Sequence, residues 1–309
     1  MIRKNRETFL TALIWLGLIT VAFVAFIQVV YGTEHTQHKT EISVILYSAG
    51  NGGWEAMQEG FKRAEDDFYV NINYVMLHED AGEEEEIEAV EREIENGAQG
   101  VIVAVEDSEA FYQNWLTRNI ITPVVAVESS FSDKGIPYIS ADNYGMGKKI
   151  GEEILKDFSD KKEIKVAYTS EKVKKDSVMM REEGLKDALG ERAKFIPLRT
   201  VVNGESADVA VALDKETLQN LLNQSSPMIN STKKYGIGNT PSIVAALDQG
   251  RIEKLVFQNE FSMGYLAVEA VLGESTVGMV KDGEIDYYCV GREQLYESPF
   301  EQLLFPIVE

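Results

Sequence analysis

Short, uninterrupted apolar runs recur along this 309-residue chain, each followed by a stretch with helical spacing. Runs such as Gly100–Val105 and Pro123–Val127 have no polar side to offer water, which suits strands buried on both faces. Between such runs, Trp54–Phe68 repeats Met57, Phe61, Ala64 and Phe68 on one helical face. Strands alternating with helices imply βαβ units and a parallel sheet. The first series is Ile42–Leu46, Trp54–Phe68, Val70–Leu77, Glu83–Asn96, Gly100–Val105, Ser108–Arg118 and Pro123–Val127. A second opens with the helix Gly147–Phe158, followed by Ile164–Thr169, Val178–Leu189, Lys194–Val202 and Val209–Leu213. It continues through Lys215–Asn223, Tyr235–Ile237, Pro241–Gln249, Leu255–Gln258 and Met263–Leu272. The reading is two α/β halves joined near Asp142. Only Asn203–Ala207 separates Lys194–Val202 from Val209–Leu213, whereas parallel neighbours need a crossover of about a dozen residues. A helix is therefore expected to be missing there, and strand pairing over 194–213 stays open.

The N-terminus carries a different signal. Arg3, Lys4 and Arg6 precede the uncharged stretch 9–31, which is 23 residues long. A helix of roughly 20 apolar residues crosses a bilayer core. Basic residues favour the cytoplasmic side. The expectation is a cytoplasmic tail at 1–8, a transmembrane helix at 9–31, a linker at 32–41 and a soluble domain outside the cell membrane. A cleaved signal peptide is the rival, with an apolar core of about 7–15 residues. The run here is longer, and its end, Gln28-Val29-Val30-Tyr31-Gly32, lacks an A-x-A pattern, so a retained anchor is preferred.

A net charge of −21 argues against nucleic acid as a partner, because phosphate binding needs clustered Lys and Arg. The acidic run Glu83-Glu84-Glu85-Glu86 opens a helix and is read as its solvated face. Cys289 is the sole cysteine, so no intramolecular disulfide forms and no lipid-attachment cysteine follows the apolar stretch. His35 and His38 form a His-x-x-His pair in the linker, a weak metal signal, and no metal or cofactor is expected. The chain has no G-x-S-x-G, P-loop, H-E-x-x-H or cysteine pair. A binder is expected rather than an enzyme.

Several short motifs occur in a telling order. They are Asn51-Gly52-Gly53-Trp54 with Gly60-Phe61, then Gly97-Ala98-Gln99-Gly100-Val101-Ile102-Val103, then Ile121-Thr122-Pro123-Val124-Val125. Ala141-Asp142-Asn143, with Gly147 and Gly151 after it, has the form of a hinge. Arg181-Glu182-Glu183-Gly184-Leu185 and Gly236-Ile237-Gly238-Asn239-Thr240-Pro241 follow. In order and spacing, from about Glu41 to the C-terminus, the chain resembles the type I periplasmic sugar-binding proteins, the ribose-binding-like family. The same fold serves sugar-responsive repressors, but those carry a helix-turn-helix where this chain has its apolar stretch.

The resemblance implies two lobes, each a parallel sheet flanked by helices, closing on a ligand about three crossovers. It divides the domain into 42–142 with 259–283 and 143–258 with 284–309. It implies a sugar or polyol as ligand, and a transporter permease or a sensor histidine kinase as membrane partner. Ligand contacts are expected from Asn51 and Trp54 in the first loop, and from Asp107 and Glu128 after the strands Gly100–Val105 and Pro123–Val127. Asp214, Asn239 and Gln258 are expected to supply the second lobe's contacts. Packing on the core as a helix-start residue competes for Trp54, helix capping for Asp107, and caps or hinge bonds for Asp214, Asn239 and Gln258. Ser129, Met179 and Gly238 stand where the family places two arginines and an aspartate, so a cleft poor in arginine is expected, fitting a sugar other than ribose, a polyol or a cation.

Overall fold

The computed structural model describes residues 15–24, 26, 38–48, 53–78, 81–131, 134–168, 175–273 and 284–305. Residues 1–39 and 40–309 form separate units. In the first, residues 15–24 are helical and exposed. Of the expected span 9–31, residues 9–14, 25 and 27–31 lie outside the described residues, and among the described residues no helix is long and apolar enough to cross a membrane.

The second unit holds two sheets, each of six strands among the described residues. The first contains β1 (Thr40–Tyr47), β2 (Val70–Leu77), β3 (Gly100–Ala104), β4 (Val124–Val127), β5 (Tyr138–Ala141) and β11 (Glu284–Ile285). Helices α1 (Glu55–Phe68), α2 (Glu83–Glu95) and α3 (Ser108–Leu116) link its first four strands, and α4 (Asn143–Asp157) leaves β5. The second sheet contains β6 (Ile164–Tyr168), β7 (Ala193–Pro197), β8 (Val209–Ala212), β9 (Lys233–Ile237), β10 (Lys254–Gln258) and β12 (Tyr287–Gly291). Its helices are α5 (Asp176–Leu189), α6 (Leu198–Val202), α7 (Lys215–Asn223), α8 (Pro227–Ser231) and α9 (Pro241–Asp248). Helix α10 (Glu260–Val271) returns to the first sheet, and α11 (Phe300–Leu304) follows β12.

The two sheets repeat one pattern. The first runs β2-β1-β3-β4-β5-β11 and the second β7-β6-β8-β9-β10-β12. Every ladder is parallel except β10 with β12. Every residue of β3, β4 and β8 is buried, as their unbroken apolar runs require. The edge strand β2 exposes much of its length instead.

The chain passes between sheets at Asp142, at Asn259 and at Asp286, and a backbone bond from Asn259 N–H to the Asp286 carbonyl (3.1 Å) joins two of these passages. Two of them are helix caps. Asp142 accepts from Gly145 N–H (2.8 Å), and Asn259 accepts from Ser262 N–H (3.1 Å). A side chain that caps a helix at the crossover fixes the direction in which each lobe departs.

One element departs from the sequence reading. Lys194–Val202 is not a single strand: β7 ends at Pro197, and Leu198–Val202 forms α6 with Val201 fully buried. The β-branched run Thr200-Val201-Val202 favours a strand, but Pro197 has no N–H to continue a ladder. The crossover is thus shortened to one helical turn rather than lost, and β7 keeps the edge position beside β6 that β2 has beside β1. The strand β5, the helix α8 and the C-terminal elements β11, β12 and α11 were not anticipated; each is five residues or fewer.

Helices α4 and α5 pack through glycines. A Cβ on Gly147 would fall inside the Arg181 carbonyl oxygen, and one on Gly184 inside that of Tyr144. Backbone cannot yield as a side-chain tip does. Alanine normally favours a helix over glycine by about 1 kcal/mol. Here the expected sign is reversed: Gly147→Ala and Gly184→Ala should each destabilise by about 1–3 kcal/mol, read as a lower urea midpoint at unchanged slope.

Candidate functional site

Gly53 and Trp54 after β1, Glu106 and Ser108 after β3 and Glu128 after β4 meet Lys175, Asp176, Lys215 and Gln258 of the second lobe, so the carboxyl ends of strands from both sheets meet across one cleft. Open α/β sheets bind ligands at such ends. At its floor stands Glu128, immediately after β4, with a positive φ of 72°. Such a backbone costs a non-glycine residue about 1–3 kcal/mol. It is held by two bonds to its carbonyl, from Ser140 Oγ (2.8 Å) and Asn143 Nδ2 (3.3 Å).

The turn aims the Glu128 carboxylate at the other lobe. Oε1 accepts from Gln258 Nε2 at 2.6 Å, and Oε2 lies 3.9 Å from Arg181 Nη2. Arg181 comes from α5 and is 4% exposed. Its Nε donates to Asn143 Oδ1 (2.8 Å) and its Nη1 to the Leu213 carbonyl (3.1 Å). Burial works against the guanidinium charge, and Glu128, Asp214 and Glu260 support it. Gln258 is buried, and its Oε1 has no hydrogen-bond partner among the described residues.

On one flank, the Trp54 indole N–H donates to the Tyr47 carbonyl (2.8 Å). Lys215, the first residue of α7, places its ammonium 5.4 Å from the centre of the Trp54 ring. The same ammonium donates to the Gly53 carbonyl and pairs with Glu260 Oε1 at 2.6 Å. Burial pushes the Glu260 carboxyl up, and Lys215 opposes it.

On the other flank, Asp176 Oδ2 accepts from Ser108 N–H (2.8 Å) and Ser108 Oγ (2.5 Å). The Asp176 N–H donates to the Glu106 carbonyl (2.8 Å), and Lys175 pairs with Glu106 at 2.6 Å. Beside these contacts lies a cavity of about 310 Å³ bordered by Ser108, Ser130, Asn143, Asp176, Ser177, Glu183 and the side chains of Met179 and Met180. Among the described residues that line it, none is basic.

The structure thus joins Glu128 to Gln258 and sets Trp54 at the cleft wall. Asp107 caps α3, its Oδ1 accepting from Ala110 N–H (2.9 Å). Asp214 caps α7, with Oδ1 on Thr217 N–H (2.8 Å) and Oδ2 on Thr217 Oγ1 (2.7 Å). Asn239 lies half-buried in the turn between β9 and α9, beside Gly238 at φ 150°. Asn51 lies outside the described residues. The sequence reading missed Asn143, Asp176, Arg181, Lys215 and Glu260 as cleft groups. Arg181 and Asn143 sat inside recognised motifs, which was the available signal.

The acidic run opening α2 is not wholly a solvated face. Glu84 and Glu85 are exposed, but Glu86 is fully buried on the face that carries Ala89, Val90 and Glu93. Its Oε1 accepts from the Tyr47 hydroxyl and from Glu106 N–H (3.1 Å), while Oε2 is buried without a partner among the described residues. Burial pushes the Glu86 carboxyl from 4.5 up to about 7. Both states of the chain hold this proton at low pH. Between about pH 4.5 and 7 the unfolded chain has lost it while the fold keeps it, so stability falls as pH rises through that window. Glu86→Gln should remove this loss. Its stability relative to wild type, read from urea unfolding, should rise from pH 5 to pH 7.5 by on the order of 2 kcal/mol.

Residues 42–274 match a family model described as the periplasmic binding protein domain. No curated protein sequence matches the chain significantly. Among solved structures, an ABC transporter solute-binding protein from Burkholderia graminis C4D1M in complex with D-arabinose is similar at TM-score 0.71 and 15% identity, over 84% of this chain and 98% of that one. The periplasmic component of an ABC-type sugar transport system from Hahella chejuensis is similar at TM-score 0.69 and 20% identity, over 81% and 99%. A chain of the XylFII–LytSN complex is similar at TM-score 0.68 and 15% identity, over 82% and 98%. At these identities the likeness is one of fold.

Proposed function

Because the chain belongs to the periplasmic binding protein domain family, whose members bind solutes rather than catalyse reactions, we propose that it captures a sugar or polyol outside the cytoplasm and delivers it to an ABC transporter. The observation that carries this reading is the interlobe cavity. Hydroxyls from Ser108, Ser130 and Ser177, the Asn143 amide and the Asp176 and Glu183 carboxylates surround it. Such groups bond ligand hydroxyls as donors and acceptors. Of the expected contacts, Glu128, Gln258 and Trp54 stand nearest to this role. Asn239, half-buried in the turn after β9, and Asn51 remain proposed contacts. Asp107 and Asp214 would have to serve a ligand while capping their helices. The apolar stretch 9–31 is proposed as the anchor that keeps the domain at the cell membrane.

A second reading, a sensor that reports its ligand to a membrane histidine kinase, is favoured by the likeness to a chain of the XylFII–LytSN complex. Both readings share the cleft and differ in what reads its closure.

The test is a thermal-shift screen of the full chain against pentoses, hexoses, polyols and amines. A ligand at a hundred times its Kd stabilises the fold by about 2.7 kcal/mol. A neutral sugar or polyol should raise Tm, and Ser177→Ala and Glu183→Ala, both at the cavity wall, should reduce the rise. A response to amines alone, or to nothing in the panel, would reject the sugar reading.

A further inference from the structure

The cleft is bridged from both flanks by the protein's own side chains. Lys215 starts α7 in the second lobe, yet its three partners, the Gly53 carbonyl, the Trp54 ring and the Glu260 carboxylate, lie in the first lobe or at its crossover. A desolvated ammonium is satisfied by such a set: a carbonyl, an opposite charge and an aromatic face. Glu260 is 4% exposed and the Lys215 side chain 24%, so the pair is partly shielded from water and salt. On the opposite flank, Asp176 at the start of α5 takes both donors of Ser108 at the start of α3, and Lys175 pairs with Glu106.

In a two-lobed binder, groups at the rim of each lobe are commonly left for a ligand to join. Here they are joined to each other. We propose that Lys215 and Asp176 latch the lobes closed without ligand, and that Lys215 occupies the Trp54 side of the cleft as a built-in occupant. This goes beyond the solute reading and holds whatever the solute is. The latch sets the resting state, since closure is stabilised by contacts made only when the lobes meet. It also shapes specificity. A ring that stacks on the Lys215-covered face of Trp54 must displace the ammonium, while a small solute can enter the cavity beside Asp176 with the Lys215 contacts intact.

The experiment is a spin-label distance measurement on the full chain in a Cys289→Ser background, with labels at Thr117→Cys just after α3 and Asn220→Cys on α7. Both label positions are exposed. The protein is unfolded, dialysed and refolded beforehand, so that no co-purified solute closes it. The wild-type chain should give one short distance without any added sugar. Lys215→Met and Asp176→Ala should each lower the short-distance fraction by about two-fold or more, and the double variant should lower it further. Glu260→Gln should act in the same direction as Lys215→Met and serves if that variant fails to fold. The proposal is overturned if the stripped wild type already shows the long, broad distribution of the variants, or if every variant keeps the wild-type short distance.

Discussion

One buried guanidinium organises the region where the two lobes meet. Arg181 is held by the Asn143 amide at the first crossover, by the Leu213 carbonyl at the end of β8, and by the charge of Glu128 after β4. A charge taken out of water must be bonded on every side. Here the bonding groups come from three different elements, so satisfying the charge also fixes their relative positions. The strained backbone of Glu128 follows from the same demand. With that turn its carboxylate bonds Gln258 and lies 3.9 Å from Arg181.

The approach of α4 to α5 is what brings Arg181 there. Gly147 sits against the Arg181 backbone carbonyl and Gly184 against that of Tyr144, so the helix axes lie too close for any side chain at either position. Packing of two helices thereby delivers a side chain to the cleft floor. The first lobe repeats the device with Gly60 of α1 and Gly264 of α10, whose contact lies directly after the Glu260 crossover.

The strongly acidic composition is handled in two ways. Most carboxylates stay on the surface, where a charge of −21 keeps the chain soluble. A few are buried and bonded. Glu93 accepts from Ser43 Oγ (2.9 Å) and Asn73 Nδ2 (3.0 Å), and Glu260 pairs with Lys215. Glu86 is the exception, with one oxygen bonded and the other not, and so its charged form is the costly one near neutral pH.

Much of the fold was legible because burial writes itself into local sequence. β3, β4 and β8 had to be apolar throughout, and α1 had to repeat Met57, Phe61 and Ala64. Where burial is partial the signal fails: Leu198–Val202 reads as strand by composition and is turned into a helix by the proline before it. Glu128 and Gln258 were expected in the site from their places at strand ends, and the fold brings them within 2.6 Å of each other. Asp107 and Asp214 were expected by the same rule, yet both cap helices, because a carboxylate after a strand and before a helix suits either task. The sequence by itself determined the two α/β halves, the acidic surface and a binder without catalytic motifs. Tertiary structure alone decided that Lys215 meets Gly53 and Glu260 and that Arg181 meets Glu128. Those partners are far apart in the chain, and no local pattern records a charge pair that exists only when two lobes come together.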